Sequence, residues 1–321
     1  MKVLVTGGSG FIGTNVVEYF SKRGDTVVNF DLNPPRNVQH AQYWRQGNIE
    51  KFSEFEATAR DFQPEYIVHL AARTDLDGHT VGDYKANTIG VENIAKGSEG
   101  VAALQRIVFA SSRLVCRIGY QPASDEDYCP NTAYGESKVE GERIVRKYGE
   151  RLRGRWTIVR PTSIWGPWFG VPYKDFFSAV EKGQYVHPGK VDIEKSFGYV
   201  GNSVFQLSKI LVADGGLVQG KTLYLADYPP LSIRTFANEI QRQFGARKIP
   251  EVPILILRLA ARIGDVARSL GWKNPPLTSF RLNNLLMPML HETGDLERVV
   301  GELPFGLTEG ITRTVAWMKE Y

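Results

Sequence analysis

Cysteine is scarce: only Cys116 and Cys129 occur in 321 residues. Two thiols cannot build a disulfide framework and lack the repeated Cys/His spacing of a zinc site, which fits a reducing compartment. The five histidines, His40, His69, His79, His187 and His291, are scattered without metal-ligand spacing, so no metal site is expected. Charge of one sign is also lacking: 39 basic against 35 acidic residues leave +4. So small an excess gives no electrostatic argument for nucleic acid or an anionic membrane as partner. Long apolar runs are missing too; the most apolar stretch, 252–257, is cut by Arg258, and no membrane span is expected. The first residues, Lys2-Val3-Leu4-Val5-Thr6, read as a strand and not as a cleavable leader, so the expected location is cytoplasmic.

What is present is an ordinary globular mixture, 42% hydrophobic and 23% charged, long enough for about two compact units. Short apolar runs alternate with longer amphipathic ones, the pattern of an α/β doubly wound parallel sheet covered on both faces. Strands are expected at 2–6, 26–30, 42–46, 66–70, 106–110 and 156–160, and helices at 11–22, 52–62, 83–96 and 133–148. This first domain would span 1–165, with 198–215 packing back onto it. Residues 166–321 would form a smaller, mostly helical substrate lobe, with helices at 202–213, 232–244, 252–270 and 308–319.

Directly after the first strand comes Thr6-Gly7-Gly8-Ser9-Gly10-Phe11-Ile12-Gly13. Glycines at these spacings permit a tight turn, close approach of backbone to a pyrophosphate, and close helix–strand packing, while the helix N-terminus offers N–H groups and partial positive charge. The second strand leads to Asp31, 18 residues past Gly13, whose carboxylate can accept both ribose hydroxyls of an adenosine and repels a 2′-phosphate. The expectation is a Rossmann-type dinucleotide site that prefers NAD to NADP, with nearby Arg36 arguing the other way.

Tyr134 and Lys138 fall four residues apart in a helical stretch and so share a face. An ammonium beside a phenol stabilises the phenolate and brings a pKa of about 10 toward the working range of a base. Such a pair alone is more often structural. Together with Gly7, Gly10, Gly13, Asp31, Ala71-Ala72, Ser111-Ser112 and Arg160-Pro161 in order, it resembles the extended short-chain dehydrogenase/reductase family, in the branch of NAD-dependent nucleotide-sugar epimerases and dehydratases. The resemblance runs nearly end to end, specific in its N-terminal motifs and weak in its C-terminal ones. It implies that Ser112 hydrogen-bonds the reacting oxygen, Tyr134 moves its proton, and Lys138 holds the nicotinamide ribose while tuning the tyrosine. It further implies a cofactor lined by Gly7, Gly10, Phe11, Ile12, Gly13, Asp31, Asn48, Ile49, Leu70, Ala71, Ala72, Arg73 and Pro161. Asn48 stands where the family has an aspartate facing the adenine. Asn87 reads as scaffolding.

The family's sugar dehydratases carry an Asp-Glu pair directly after the serine or threonine; here Arg113 and Leu114 occupy those positions, so a 4,6-dehydratase is not expected. An epimerase needs only one acid/base and one bound cofactor. The leading expectation is therefore epimerisation of a nucleotide-activated sugar through a transient keto form, with Arg73, Ser112, Arg113, Ser163, Lys195 and Arg281 contacting substrate. Lys195 replaces a diphosphate-gripping arginine, Ser163 an asparagine, and Trp165 a tyrosine. One alternative is a dehydrogenase or reductase of a sugar nucleotide or sterol-like alcohol, which the apolar 252–270 segment would suit. Another is a non-catalytic NAD-binding sensor, for which Ser112, Tyr134 and Lys138 would have no use. The aromatics Trp165, Trp168, Phe169 and Tyr173 read mostly as packing. By family analogy the segments 83–96 and 133–148 could form a homodimer contact.

Overall fold

β1 (Lys2–Thr6), α1 (Phe11–Lys22), β2 (Thr26–Asp31), β3 (Trp44–Gln46), α2 (Phe52–Phe62), β4 (Tyr66–His69), α3 (Val91–Ser98), β5 (Arg106–Ala110), α4 (Ala133–Lys147) and β6 (Trp156–Pro161) build the N-terminal layers. The structure, a computed structural model, describes residues 1–272, 275 and 277–321. A seventh strand, Thr222–Leu225, joins the sheet beside β6, giving the order Thr222–Leu225, β6, β5, β4, β1, β2, β3. Every pairing is parallel. Alternate residues feed opposite faces: Val3, Val5, Val68, Val108 and Val159 enter one core, while Leu4, Ile67, Ile107, Phe109 and Ile158 enter the other. That division is why these strands are apolar throughout. The order of strands reverses between β1 and β4, which opens a crevice at their carboxyl ends.

The structure departs from the sequence reading in three places. Residues 42–46 are not one strand: the Asn37 side chain accepts the Gln39 N–H, and a 3₁₀ turn, Val38–Tyr43, precedes a three-residue β3. The helix expected over 83–96 is divided into a 3₁₀ turn, Val81–Tyr84, a π turn, Ala86–Gly90, and α3. The buried Asn87 sits in that π turn and bonds sideways to neighbouring elements. The Thr222–Leu225 strand was not read from the sequence at all.

Beyond β6 come α5 (Tyr173–Glu181) and α6 (Val200–Val212), the latter lying against α1 and β5. The helices Ile233–Phe244, Ile254–Ser269, Ser279–Leu286, Gly294–Val300 and Leu307–Glu320 complete the chain. Trp165, only 1% exposed, packs against Phe177, Tyr199 and Phe236, so it is core, as is Phe169. Short strand pairs tie this half together: Ser163–Trp165 with Phe197–Tyr199, and Glu194–Lys195 with Leu231–Ser232. The second of these holds Lys195 within electrostatic reach of Arg113.

Candidate active site

The turn after β1 is shaped by sterics that only glycine meets. Gly7 has φ +75°, and a Cβ there would lie 2.5 Å from the Ala71 nitrogen. A Cβ on Gly13 would lie 2.0 Å from the Gly7 carbonyl oxygen; α1 therefore starts pressed against the loop, its first N–H groups facing the crevice. Gly10 donates its N–H to Gly7 O at 3.0 Å and closes the turn. At the end of β2, Asp31 accepts the Ser9 N–H at 3.0 Å and the Asn33 N–H at 2.9 Å. Its carboxylate is thus fixed beside the glycine turn with lone pairs to spare. Arg36 is turned away, donating to Trp168 O at 2.8 Å.

Around this cradle the other expected cofactor residues take unequal parts. Phe11 and Ile12 open α1 and are half-buried, while Leu70, Ala71 and Ala72 follow β4 at the same end of the sheet. Asn48 uses its side-chain oxygen to accept the Glu50 N–H at 2.9 Å and its own N–H to donate to Glu54 at 2.8 Å, leaving its amide NH₂. Ile49 belongs to the core beneath. Pro161 ends β6, half-buried. Arg73 differs from expectation: its guanidinium is bidentate on Asp75 at 2.9 Å, donates to Asp83 O, and covers the Tyr84 ring. Its side chain braces the loop, and only its backbone is left to line the crevice.

Tyr134 and Lys138 lie in the first turns of α4, which is capped by Thr132 accepting the Gly135 N–H at 3.0 Å. Both are buried, 7% and 5% exposed. Ser112 follows β5, and its hydroxyl oxygen accepts the Leu114 N–H at 3.1 Å, which leaves its O–H free to be given elsewhere. It shares a hydrogen bond with the Tyr134 phenol. Burial pushes that phenol above its ordinary value, and the neighbouring Tyr84 adds to the rise; the Ser112 bond and the Arg113 guanidinium pull it back. Arg113 is the smallest of these influences on the phenol. Lys138 donates from Nζ to Ala110 O at 3.0 Å, and burial brings it down to about 8 against the pull of Glu142. His69 shares a 2.6 Å hydrogen bond with Thr6 Oγ1. Burial, with Lys138 nearby, lowers it to about 3; it is a neutral core histidine.

One partner of this constellation escaped the sequence reading. Glu142, one turn past Lys138, is 2% exposed. It accepts from Ser111 Oγ at 2.6 Å, Tyr128 OH at 3.0 Å, and both Nε and Nη2 of Arg160 at 2.8 Å. The spacing Tyr134, Lys138, Glu142 was its available signal. Asn87 donates to Ser137 Oγ at 2.9 Å and to Arg73 O at 3.0 Å, so it ties α4 to the loop after β4, the scaffolding part expected of it.

On the substrate side, Arg113 is hydrogen-bonded to Tyr173 and lines a narrow pocket with Tyr224, Met289 and His291 among its walls. His291 stacks on Tyr224 at 4.4 Å. Its Nε2 is buried without a partner among the described residues, and burial with Arg113 and Arg160 lowers it to about 4. Lys195 donates to Asn284 O at 2.6 Å and is brought down to about 8 by burial and by Arg113. Arg281 donates to Pro275 O at 2.8 Å. Ser163 is 3% exposed, with Oγ 3.9 Å from the Met289 sulfur; contrary to expectation it is packed under that methionine.

The model of the NAD dependent epimerase/dehydratase family matches residues 3–185. The chain belongs to that family. Its members are NAD-dependent epimerases, dehydrogenases and isomerases, so this epimerase/dehydratase relative is an enzyme and its cofactor is NAD. It is 30% identical over 263 residues to a 3 beta-hydroxysteroid dehydrogenase/Delta 5→4-isomerase of Mycobacterium tuberculosis, covering 77% of this chain and 70% of that one. Among solved structures, the UDP-glucose 4-epimerase of Thermotoga maritima with UDP-glucose aligns with a TM-score of 0.74 at 20% identity, over 100% of this chain and 99% of that one. The Thermus thermophilus UDP-glucose 4-epimerase complex with NAD aligns at 0.72 and 20% identity, over 99% of both chains. The residues of this family member fit the cofactor: the cradle a Cβ would fill at Gly7 and Gly13, the fixed Asp31 carboxylate, and the buried ammonium of Lys138 supply sites for pyrophosphate and ribose.

Proposed function

We propose that this enzyme oxidises or reduces a secondary alcohol or ketone on a hydrophobic, sterol-like molecule, with Tyr134 moving the proton. One observation carries the reading: the side chains expected to hold a nucleotide sugar are committed within the protein. Lys195 is bonded to Asn284 O, Arg281 to Pro275 O, and Ser163 lies under Met289. The 30% identity to a hydroxysteroid dehydrogenase/isomerase supports the same reading.

NAD, when bound, supplies a two-electron hydride acceptor. The chain does the rest. Ser112 turns its O–H from the Tyr134 phenol to the substrate oxygen and orients it toward Tyr134. Tyr134 withdraws the hydroxyl proton on oxidation and returns it on reduction. Arg113 stabilises the phenolate that forms, in a pocket whose burial strengthens that attraction. Lys138, fixed by Ala110 O, presents its ammonium where a ribose would lie.

A second reading, epimerisation of a nucleotide sugar, is favoured by one feature: Arg113 and Lys195 place two cations near one another, which suits a diphosphate. A single experiment separates the two. Protein loaded with NAD is offered hydroxysteroids and, separately, nucleotide sugars; NADH absorbance and product NMR are recorded. Stoichiometric NADH with a hydroxysteroid is expected, lost in Tyr134→Phe by roughly 10²-fold or more while NAD binding persists. A new sugar epimer with no net NADH would overturn the proposal.

A further inference from the structure

The helix Ile254–Ser269 is attached by one face only. Leu257 and Ala261 are buried against Leu282, and a Cβ on Gly264 would lie 1.8 Å from the Leu277 carbonyl oxygen. So close an approach fixes the helix against rolling, and with it the face turned outward. That outward face is apolar: Leu255, Leu259, Ile263, Val266 and Leu270, and Trp272 just beyond, are 57–83% exposed. Their spacing of 4, 4, 3 and 4 residues places the first five on one stripe, opposite the residues that are buried. An isolated exposed leucine needs no explanation, but a continuous stripe does.

Charge indicates what covers it. Arg258 and Arg262, beside this stripe, are exposed, and neither forms an ion pair among the described residues. The helix's one carboxylate, Asp265, is occupied by the Ser279 N–H at 3.1 Å. An isologous contact between two copies would bring the same stripe and the same unpaired arginines to one seam, whereas lipid phosphates would neutralise them. No helix among the described residues is long and apolar enough to cross a membrane; an apolar face edged by arginines, with a tryptophan at its end, suits a helix lying in the interface.

We propose that this helix docks the enzyme on the surface of an anionic lipid bilayer, apolar stripe inward. The proposal goes beyond the substrate reading above and does not depend on it: lipid binding is measured without turnover. The neighbouring helix Ser279–Leu286 packs on it and carries the Asn284 carbonyl that holds Lys195.

The test is flotation of the full chain with phosphatidylcholine vesicles, with and without phosphatidylglycerol. Binding to the anionic vesicles is expected. Leu259→Gln with Ile263→Gln should weaken it roughly tenfold or more, with NAD binding and far-UV circular dichroism unchanged. Arg258→Gln with Arg262→Gln should remove the preference for phosphatidylglycerol. Failure of the wild type to float, or equal flotation of the Gln variant, would overturn the proposal. So would a lipid-free dimer, seen by light scattering, that Leu259→Gln with Ile263→Gln dissociates, because it would assign the stripe to a second copy.

Discussion

At the residue scale, burial sets how Tyr134 behaves and Arg113 is a smaller influence against it. The phenol is buried, which favours its neutral form, and the guanidinium opposes that. Removing the cation by Arg113→Leu raises the phenol pKa further. The rising limb of alcohol oxidation against pH should then move upward, read as log kcat/KM across a pH series. Unchanged position of the limb would mean that Arg113 does not tune the phenol. Tyr134, Lys138 and the glycine turn were legible in the sequence because their chemistry is set by spacing along one helix or one loop. The tuning by Arg113 was not, since it depends on where a 3₁₀ turn after β5, Arg113–Val115, sets its first residue. For Arg73 and Ser163 too, tertiary partners set the side chain: exposed Asp75, two residues along, and buried Met289, far along the chain, decide where they go.

At the scale of elements, α4 is held to the sheet by a charge. Arg160 from β6 and Glu142 from α4 are each 1% exposed at the side chain and bonded through two contacts of 2.8 Å. Burial alone would favour a neutral arginine, yet the Glu142 bonds hold its pKa above the usual value. Glu142→Ala strands the guanidinium and should cost about 3–5 kcal/mol of unfolding free energy, measured by urea denaturation. Replacing both residues by methionine should recover most of that loss, because no buried charge is left unpaired. The sequence carried the strands and the major helices, whose periodicity is local. It did not carry the division of 83–96 by the Asn87 π turn, or the Thr222–Leu225 strand, which exist through partners far along the chain. The apolar 252–270 segment was visible, but not that most of its side chains face outward.

Across the whole molecule, Asp227 joins separated parts of the chain. It accepts the Tyr199 N–H at 2.9 Å and Asn202 Nδ2 at 3.1 Å, and Asn202 in turn pairs with the backbone of Phe305. Burial raises Asp227 from 3.8 to about 7, although both of those bonds favour its charge. The native state therefore binds its proton more tightly than the unfolded chain, and this contribution to stability is lost as pH rises from 3.8 through about 7. Over that window the wild type should lose roughly 4 kcal/mol relative to Asp227→Asn, followed by chemical denaturation at several pH values; parallel profiles would refute the linkage. The parallel sheet has one more consequence. All the chemistry gathers at the rim where strands end, while the chain enters β2, β4, β6 and the Thr222–Leu225 strand through left-handed turns at Gly24, Gln63, Gly154 and Gly220 on the far rim. Gly100, on the approach to β5, has open space where a side chain would sit, whereas Cys116 is buried and Cys129 half-buried. Gly100→Cys would thus give a fluorophore or solid support a handle on the rim remote from the crevice.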